Sequence, residues 1–139
     1  MVSTAHSIQG TARALRAYNP QIHVVAVEPA EPAVLSGKPS GSHKVEGVGI
    51  GFVPPLWKPA EVDEILPVTT DDAKEMARRL AREEAIFAGP STGANVVAAL
   101  RIAERLGPHA TGRHDSCRFW IALPQYRRVP DLIRAQCAG

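Results

Sequence analysis

The side chains best suited to chemistry lie at 88–95, where Ser91 and Thr92 stand between Gly89 and Gly93. A short apolar run precedes this segment, and an amphipathic pattern with helical spacing follows it. The two hydroxyls would then lie at the N-terminus of a helix, where free backbone N–H groups hold polar or anionic ligand groups. The other interpretation of Ser91 is a helix N-cap, because serine, threonine and glycine are favoured at that position anyway.

Strand-like and helical segments alternate along the chain and would position this loop. Short β-branched runs predict strands, and apolar residues at helical spacing predict helices. The predicted strands are 22–27, 64–69, 86–88 and, weakly, 119–123; the predicted helices are 8–18, 70–84 and 92–106, with a short helical turn at 32–36. Thr70, Asp71 and Asp72 are expected to cap the second long helix. Strands separated by helices indicate βαβ units around a mostly parallel sheet.

The composition bounds the class of protein. With 139 residues, 45% of them hydrophobic, the chain is long enough for one domain with a real core. A net charge of +2 gives no argument for a nucleic-acid or membrane partner, and no membrane span or secretory signal is visible. The two cysteines indicate neither a disulfide framework nor a metal site, and the five histidines show no metal-ligand spacing. We therefore expect a cytoplasmic α/β domain without a metal.

Three blocks of sequence, in the right order and spacing, carry a family resemblance. The first is Val-Glu-Pro-Ala-Glu-Pro-Ala-Val-Leu-Ser-Gly at 27–37, and the second is His-Lys-Val-Glu-Gly-Val-Gly-Ile-Gly-Phe-Val-Pro at 43–54. The third joins Ala-Arg-Arg-Leu-Ala-Arg-Glu-Glu at 77–84 to Gly-Pro-Ser-Thr-Gly-Ala at 89–94. Together, over roughly residues 3–110, they resemble the cysteine synthase family (O-acetylserine sulfhydrylases), whose cofactor is pyridoxal phosphate.

The resemblance implies a fold and an activity. The fold is a partial parallel-sheet α/β domain of the tryptophan synthase β-like architecture, called PLP fold type II. The activity is β-replacement of acetate in O-acetyl-L-serine by sulfide, which gives L-cysteine through an aminoacrylate on the cofactor. The implied cofactor is pyridoxal 5′-phosphate (PLP), the partners are small-molecule substrates, and the implied assembly is a homodimer. Cystathionine β-synthase, which shares the fold and the cofactor, is the related alternative.

The resemblance matches this chain to the C-terminal part of that enzyme. The lysine that forms the Schiff base with the cofactor, and the loop that grips the substrate carboxylate, belong to the N-terminal half of the family and have no counterpart here. Lys38, Lys44, Lys58 and Lys74 stand in other contexts. No catalytic residue is therefore assigned, and we expect the isolated chain to be inactive. A non-catalytic remnant of the enzyme is the second functional hypothesis.

Six cofactor-binding positions follow from the resemblance. Ser91 matches the family serine whose hydroxyl bonds the pyridine nitrogen, which leaves that nitrogen unprotonated and suits β-elimination. The other five fall where the family has Gly-Thr-Gly-Gly-Thr, a loop that wraps the phosphate with backbone N–H groups; they are Ser3, Thr4, Ala5, His6 and Ser7. Three of these replace glycines, and each adds a Cβ where the backbone should touch phosphate. The alternative is a frayed N-terminal segment with a serine cap.

A glycine at every second position marks a further segment of the resemblance. Gly47, Gly49 and Gly51 resemble the stretch that lines the substrate side of the pyridoxal ring, where small residues let the backbone approach a flat ligand. The alternative is a tight turn or a bulged strand, which the spacing permits equally.

After about Gly112 the family pattern stops. The family continues with a buried strand, a Ser-Gly turn and Arg-Tyr-Leu-Ser-Thr. Back-translation of 112–130 with freely chosen synonymous codons, read one base later, encodes Ala-Val-Thr-Ile-Leu-Ala-Gly-Ser-Gly-Leu-Arg-Tyr-Leu-Ser-Thr. This predicts that 112–139 are an out-of-frame tail without a domain, through a mutation or a sequencing error. Residues 1–111 would then be the C-terminal part of a cysteine synthase domain, and Cys117, Trp120 and Cys137 would carry no function.

Overall fold

The computed structural model describes residues 1–31, 33–39, 51–106, 113–116 and 119–122, the last two ranges for the backbone alone. Its helices are α1 (His6–Tyr18), α2 (Thr70–Glu84) and α3 (Pro90–Leu106), with a 3-10 turn at Pro59–Glu61. Its strands are β1 (Val25–Pro29), β2 (Glu64–Val68), β3 (Arg113–Ser116) and β4 (Phe119–Ala122). Within these ranges no helix is both long enough and apolar enough to cross a membrane.

A parallel pair of strands forms the centre of the fold. β1 and β2 pair in register from Val25 opposite Glu64 to Pro29 opposite Val68. The N-terminal segment follows the other edge of β1, where the Val2 N–H donates to the Val27 carbonyl at 2.8 Å. The predicted α/β class with parallel strands is therefore confirmed.

Apolar side chains cover both faces of this sheet, because successive residues of a strand point to opposite faces. On one face Val27 and Leu66 pack in an apolar cluster with α2 and α3. The other buried residues of this cluster are Val68, Ala73, Met76, Leu80, Ala94, Val97 and Ala98. On the other face Ala26 packs with Val2, Ala5 and Trp57, next to Ile8 of α1. The N-terminal segment is thus held between β1 and α1.

The first strand lies further along the chain than the sequence predicts. The expected strand at 22–27 was placed too early, since the Ile22 N–H donates to the Asn19 carbonyl in a turn. The Val24 N–H donates instead to the carboxylate of Asp63 at 2.6 Å. The ladder therefore begins at Val25 and runs through Pro29, two residues beyond the predicted end of the strand.

Helices α2 and α3 pack at unusually close range. The Thr69 hydroxyl caps α2 by accepting from the Asp72 N–H at 3.1 Å, one residue before the expected cap. Gly93 of α3 lies directly against α2: a Cβ added there would meet the Ala73 carbonyl oxygen at 2.0 Å and the Ala77 nitrogen at 2.9 Å. Only glycine fits at this crossing, so Gly93 fixes the separation of the two helices.

The predicted strand at 86–88 is wrong in this structure. Ala85 ends α2 in the left-handed conformation, with φ of 56°. The following residues form neither helix nor strand, and the Phe87 side chain is 98% exposed. In the described part of the chain β1 and β2 pair with each other, and β3 pairs with β4, so no strand lies beside 86–88.

The weakly predicted strand near 119–123 is found as β4 but in a different pairing. It pairs antiparallel with β3, from Arg113 opposite Ala122 to Ser116 opposite Phe119, in a sheet separate from β1–β2. The remainder of the predicted tail lies outside the described residues. The predicted turn at 32–36 corresponds to a turn in which the Ser36 N–H donates to the Ala33 carbonyl at 3.2 Å.

Substitution of Gly93 by alanine tests the close helix crossing. We expect Gly93→Ala to lower the free energy of unfolding by about 1–3 kcal/mol or more, because its methyl would overlap a backbone carbonyl. Gly10→Ala is the matched control, since Gly10 lies in α1 with nothing within 4 Å of the added Cβ; it should raise stability by about 0.5–1 kcal/mol. Urea denaturation measures both. Equal stability of Gly93→Ala and the parent chain would contradict the crossing.

Ion pairs connect the start of β2 and the residues just before it to α1 and α3. Arg13 of α1 contacts Glu61 at 2.8 Å, and Arg105 of α3 contacts Glu64 at 2.8 Å. Hydrogen bonds from these arginines lower the pKa of Glu61 and of Glu64, each against a smaller opposing effect of burial. The pKa of Asp63 is lowered mainly by the Val24 N–H, with Arg16 adding to it.

These lowered pKa values predict a loss of stability in acid. The three carboxylates bind protons at lower pH in the folded chain than in the unfolded chain, so their contribution is present above the unfolded pKa values near 4. The free energy of unfolding should fall as pH decreases from about 5 through the lowered pKa values. Asp63→Asn should flatten this dependence. The control Glu84→Gln, at the exposed end of α2, should leave the slope of urea-derived stability against pH unchanged; equal slopes for all three proteins would contradict the prediction.

Candidate functional site

Ser91 lies in the first turn of α3. The N–H groups of Thr92 and Gly93 donate to the Gly89 carbonyl at 3.0 and 3.2 Å, and the helix begins at Pro90. Ser91 is therefore the second residue of the helix and not its capping residue, so the N-cap interpretation does not fit this geometry. Its side chain is partly exposed, and within the described residues its hydroxyl takes part in no hydrogen bond.

The five N-terminal candidate residues form the turn that leads into α1. Ala5 precedes the helix in the left-handed conformation, with φ of 69° and ψ of 0°, and no side chain caps the helix. Ala5 is buried, whereas Thr4, His6 and Ser7 are exposed and Ser3 is partly buried. The alternative of a frayed segment with a serine cap is therefore wrong: the turn is packed, and alanine occupies the cap position.

The chemistry of this turn is that of backbone N–H groups and exposed polar side chains. The first-turn N–H groups of a helix have no partner within the helix, and no side chain supplies one here. The His6 ring nitrogen Nδ1 lies 3.1 Å from the Thr4 hydroxyl. The turn can therefore accept an anionic oxygen at the helix N-terminus.

A contact joins the N-terminal segment to α3, one helical turn after Ser91. The Met1 nitrogen donates to the Oδ1 atom of Asn95, and the Met1 side chain packs on the apolar cluster of α2 and α3. Asn95 is 4% exposed. It stands four residues after Ser91, which puts both side chains on one face of α3.

The glycine segment is only partly described. Gly47 and Gly49 lie outside the described residues, and Gly51 has φ of 77° with nothing within 4 Å of an added Cβ. The chain after Gly51 returns to the N-terminal turn. Gln9 of α1 donates through Nε2 to the Leu56 carbonyl, and the buried Trp57 packs with Ala5.

Three buried polar residues near the site were missed by sequence analysis. They are Gln9, Glu28 and Asn95. Glu28, at the end of β1, accepts hydrogen bonds from the Leu35 N–H at 3.0 Å and from the Ser36 hydroxyl. The asparagine within the apolar run 94–98 could have indicated a buried polar contact, because buried amides need hydrogen-bond partners.

A PLP molecule fits the described part of this arrangement in two respects. The open N-terminus of α1 offers N–H donors of the kind that hold phosphate, and the partly exposed Ser91 hydroxyl is free to donate. The Ala5 methyl packs into the core cluster with Trp57 and does not stand on the exposed side of the turn. Among the described residues no group of three or more His, Cys, Asp or Glu is arranged to hold a metal ion.

Comparison with known proteins gives consistent matches. The family model "Pyridoxal-phosphate dependent enzyme" matches residues 1–112. The chain is 50% identical over 104 residues to cysteine synthase 3 of Caenorhabditis elegans, a match that covers 75% of this chain and 31% of the relative. The chain therefore spans about a third of the length of this curated relative.

Two solved structures extend the comparison to three dimensions. Cysteine synthase from Entamoeba histolytica superposes with a TM-score of 0.72 at 43% identity, over 74% of this chain and 30% of that one. An O-acetylserine-dependent cystathionine β-synthase from Helicobacter pylori superposes with a TM-score of 0.71 at 34% identity, over 76% and 34% of the two chains. The predicted architecture is confirmed by these neighbours, and the chain belongs to the pyridoxal-phosphate-dependent enzyme family.

Proposed function

We propose that this chain is part of a cysteine synthase, which replaces the acetate of O-acetyl-L-serine by sulfide and releases L-cysteine. The observation that carries the proposal is the contact between Asn95 of α3 and Met1, which precedes the N-terminal turn, in a chain 50% identical to a cysteine synthase. The Ser91 turn and the N-terminal turn supply donors for opposite ends of one PLP molecule.

Each proposed residue has a specific task. The Ser91 hydroxyl donates a hydrogen bond to the unprotonated pyridine nitrogen, since a neutral donor does not protonate it. The N–H groups at the start of α1, in the turn Ser3–Ser7, donate to the phosphate oxygens. Gly47, Gly49 and Gly51 let the backbone approach the ring on the substrate side. When bound, PLP supplies the electron sink for the elimination of acetate.

Several wider features belong to the same proposal. We infer that the complete enzyme works in the cytoplasm as a homodimer on small-molecule substrates. We also infer that 1–111 are the C-terminal part of the enzyme domain and that 112–139 are an out-of-frame tail.

Two alternatives remain distinct from the main proposal. A cystathionine β-synthase-like enzyme is favoured by the H. pylori neighbour, whose name specifies O-acetylserine. The block at 27–37 favours cysteine synthase instead, because it resembles that family. A non-catalytic remnant is the second alternative, and it is favoured by Ser3, Ala5 and His6, which stand where the resemblance implies glycines.

Cysteine formation from O-acetylserine and sulfide tests the main proposal. The chain alone should form no cysteine, because it has no matching lysine. A chimera of the C. elegans relative, with 1–111 in place of the matching segment, should form cysteine and should prefer sulfide to homocysteine. A chimera that folds and binds PLP but forms no cysteine would favour the non-catalytic remnant. A preference for homocysteine over sulfide would favour the cystathionine β-synthase-like enzyme.

The same chimera separates the two hydroxyls at the start of α3. Ser91→Ala should weaken PLP binding about fivefold, since it removes one hydrogen bond worth roughly 1 kcal/mol. Thr92→Val is the matched control and should change the affinity less than twofold. Equilibrium dialysis measures both. A larger effect at Thr92 than at Ser91 would contradict the assignment.

Sequencing of the gene across codons 105–115 tests the out-of-frame tail. We expect a missing or additional base near codon 112, and restoration of the frame should give a chain ending in the family pattern. An intact frame that encodes the printed tail would contradict this part of the proposal and would leave the assignment of 1–111 untouched.

A further inference from the structure

Asn95 is a buried amide placed between the two turns that the proposed cofactor site joins. Its neighbours on α3 are apolar or small, and its side chain is 4% exposed. A buried amide needs hydrogen-bond partners, and the Met1 nitrogen supplies one of them to the Oδ1 atom of Asn95.

The partner of Asn95 leads straight into the N-terminal turn. The next residue, Val2, donates its N–H to the Val27 carbonyl of β1 at 2.8 Å. Four residues after Met1, Ala5 takes the left-handed conformation from which α1 starts. A shift of the Met1 nitrogen along α3 would therefore be passed on to the N–H groups at the start of α1.

The Met1 side chain also packs on the apolar cluster of α2 and α3, and apolar packing does not fix direction. A hydrogen bond has a preferred length and angle, so it does fix the position of one group relative to another. The Met1 nitrogen can donate this hydrogen bond either as an ammonium group or as a peptide N–H, because both groups donate to an amide oxygen.

We propose that Asn95 is a positioning residue that sets the distance between the Ser91 hydroxyl and the phosphate-binding turn. This inference rests on the proposed function, because the spacing of the two turns matters only if one ligand bridges them. A rigid ligand held at both ends needs its two sets of donors placed within a fraction of an ångström. Asn95 touches neither end of the ligand and acts through Met1 and the turn that follows.

Hydrogen exchange of the chain without ligand tests the positioning directly. Asn95→Leu keeps the approximate volume and removes the acceptor, and the Val2 N–H should exchange about tenfold faster, as expected for a loss of roughly 1.4 kcal/mol in local stability. Asn95→Asp keeps the acceptor and should stay within about threefold of the parent chain. The amides of α2 should be unchanged in both. An unchanged Val2 rate in Asn95→Leu would overturn the proposal.

Binding of PLP and of pyridoxal, which has no phosphate, to the parent chain and its variants tests the consequence for the ligand. Asn95→Leu should reduce the preference for PLP over pyridoxal about tenfold, because only the phosphate end loses its alignment. The control Thr70→Val removes another buried polar group, whose Oγ1 has no hydrogen-bond partner among the described residues, and should leave the preference unchanged. Equal weakening of both ligands would overturn the positioning role.

The two experiments keep the inference separate from the proposed function. A parent chain that shows no preference for PLP over pyridoxal contradicts the proposed cofactor site. The hydrogen-exchange result still decides whether Asn95 positions the turn.

Discussion

The close approach of α2 and α3 at Gly93 is the contact on which the arrangement of the site depends. The helices meet where the backbone of Ala73 and Ala77 leaves no room for a Cβ on the opposite helix. Ser91 stands two residues before this crossing and Asn95 two residues after it. The position of α3 along α2 therefore determines where the Ser91 hydroxyl lies and where Asn95 receives the N-terminal segment.

The N-terminal turn reaches its conformation without a glycine. Ala5 has a positive φ that disfavours any residue with a Cβ by about 1–2 kcal/mol. Its methyl is buried beside Trp57, Val2 and Ala26, and that burial offsets part of the strain. The side chain therefore supports the turn from inside. His6 is exposed, and it adds a polar group at the N-terminus of α1.

Local signals predicted the elements well, and nonlocal contacts explain the differences. The helix at 70–84 was predicted well, because its acidic first turn and apolar spacing lie within the segment itself; only the cap, Thr69, lies one residue earlier than expected. The strand at 22–27 was misplaced because the carboxylate of Asp63, far along the chain, binds the Val24 N–H. The segment 86–88 has a strand-like composition, yet a strand forms only beside a partner. Asn95 was missed for the same reason, since its partner lies 94 residues away.

α2 differs from α1 and α3 in the side chains at its N-terminus. α2 begins with the hydroxyl cap of Thr69 and has Asp71 and Asp72 in its first turn, so side chains of this chain neutralise its positive end. α1 and α3 have no acidic residue in the first turn, and α1 has no side-chain cap. A cap at these two helices would compete with an anionic or acceptor ligand for the same N–H groups. The contact between Asn95 and Met1 joins α3 to the segment that leads into α1, and the proposed site would use this connection to hold one ligand that carries both a phosphate and a ring nitrogen.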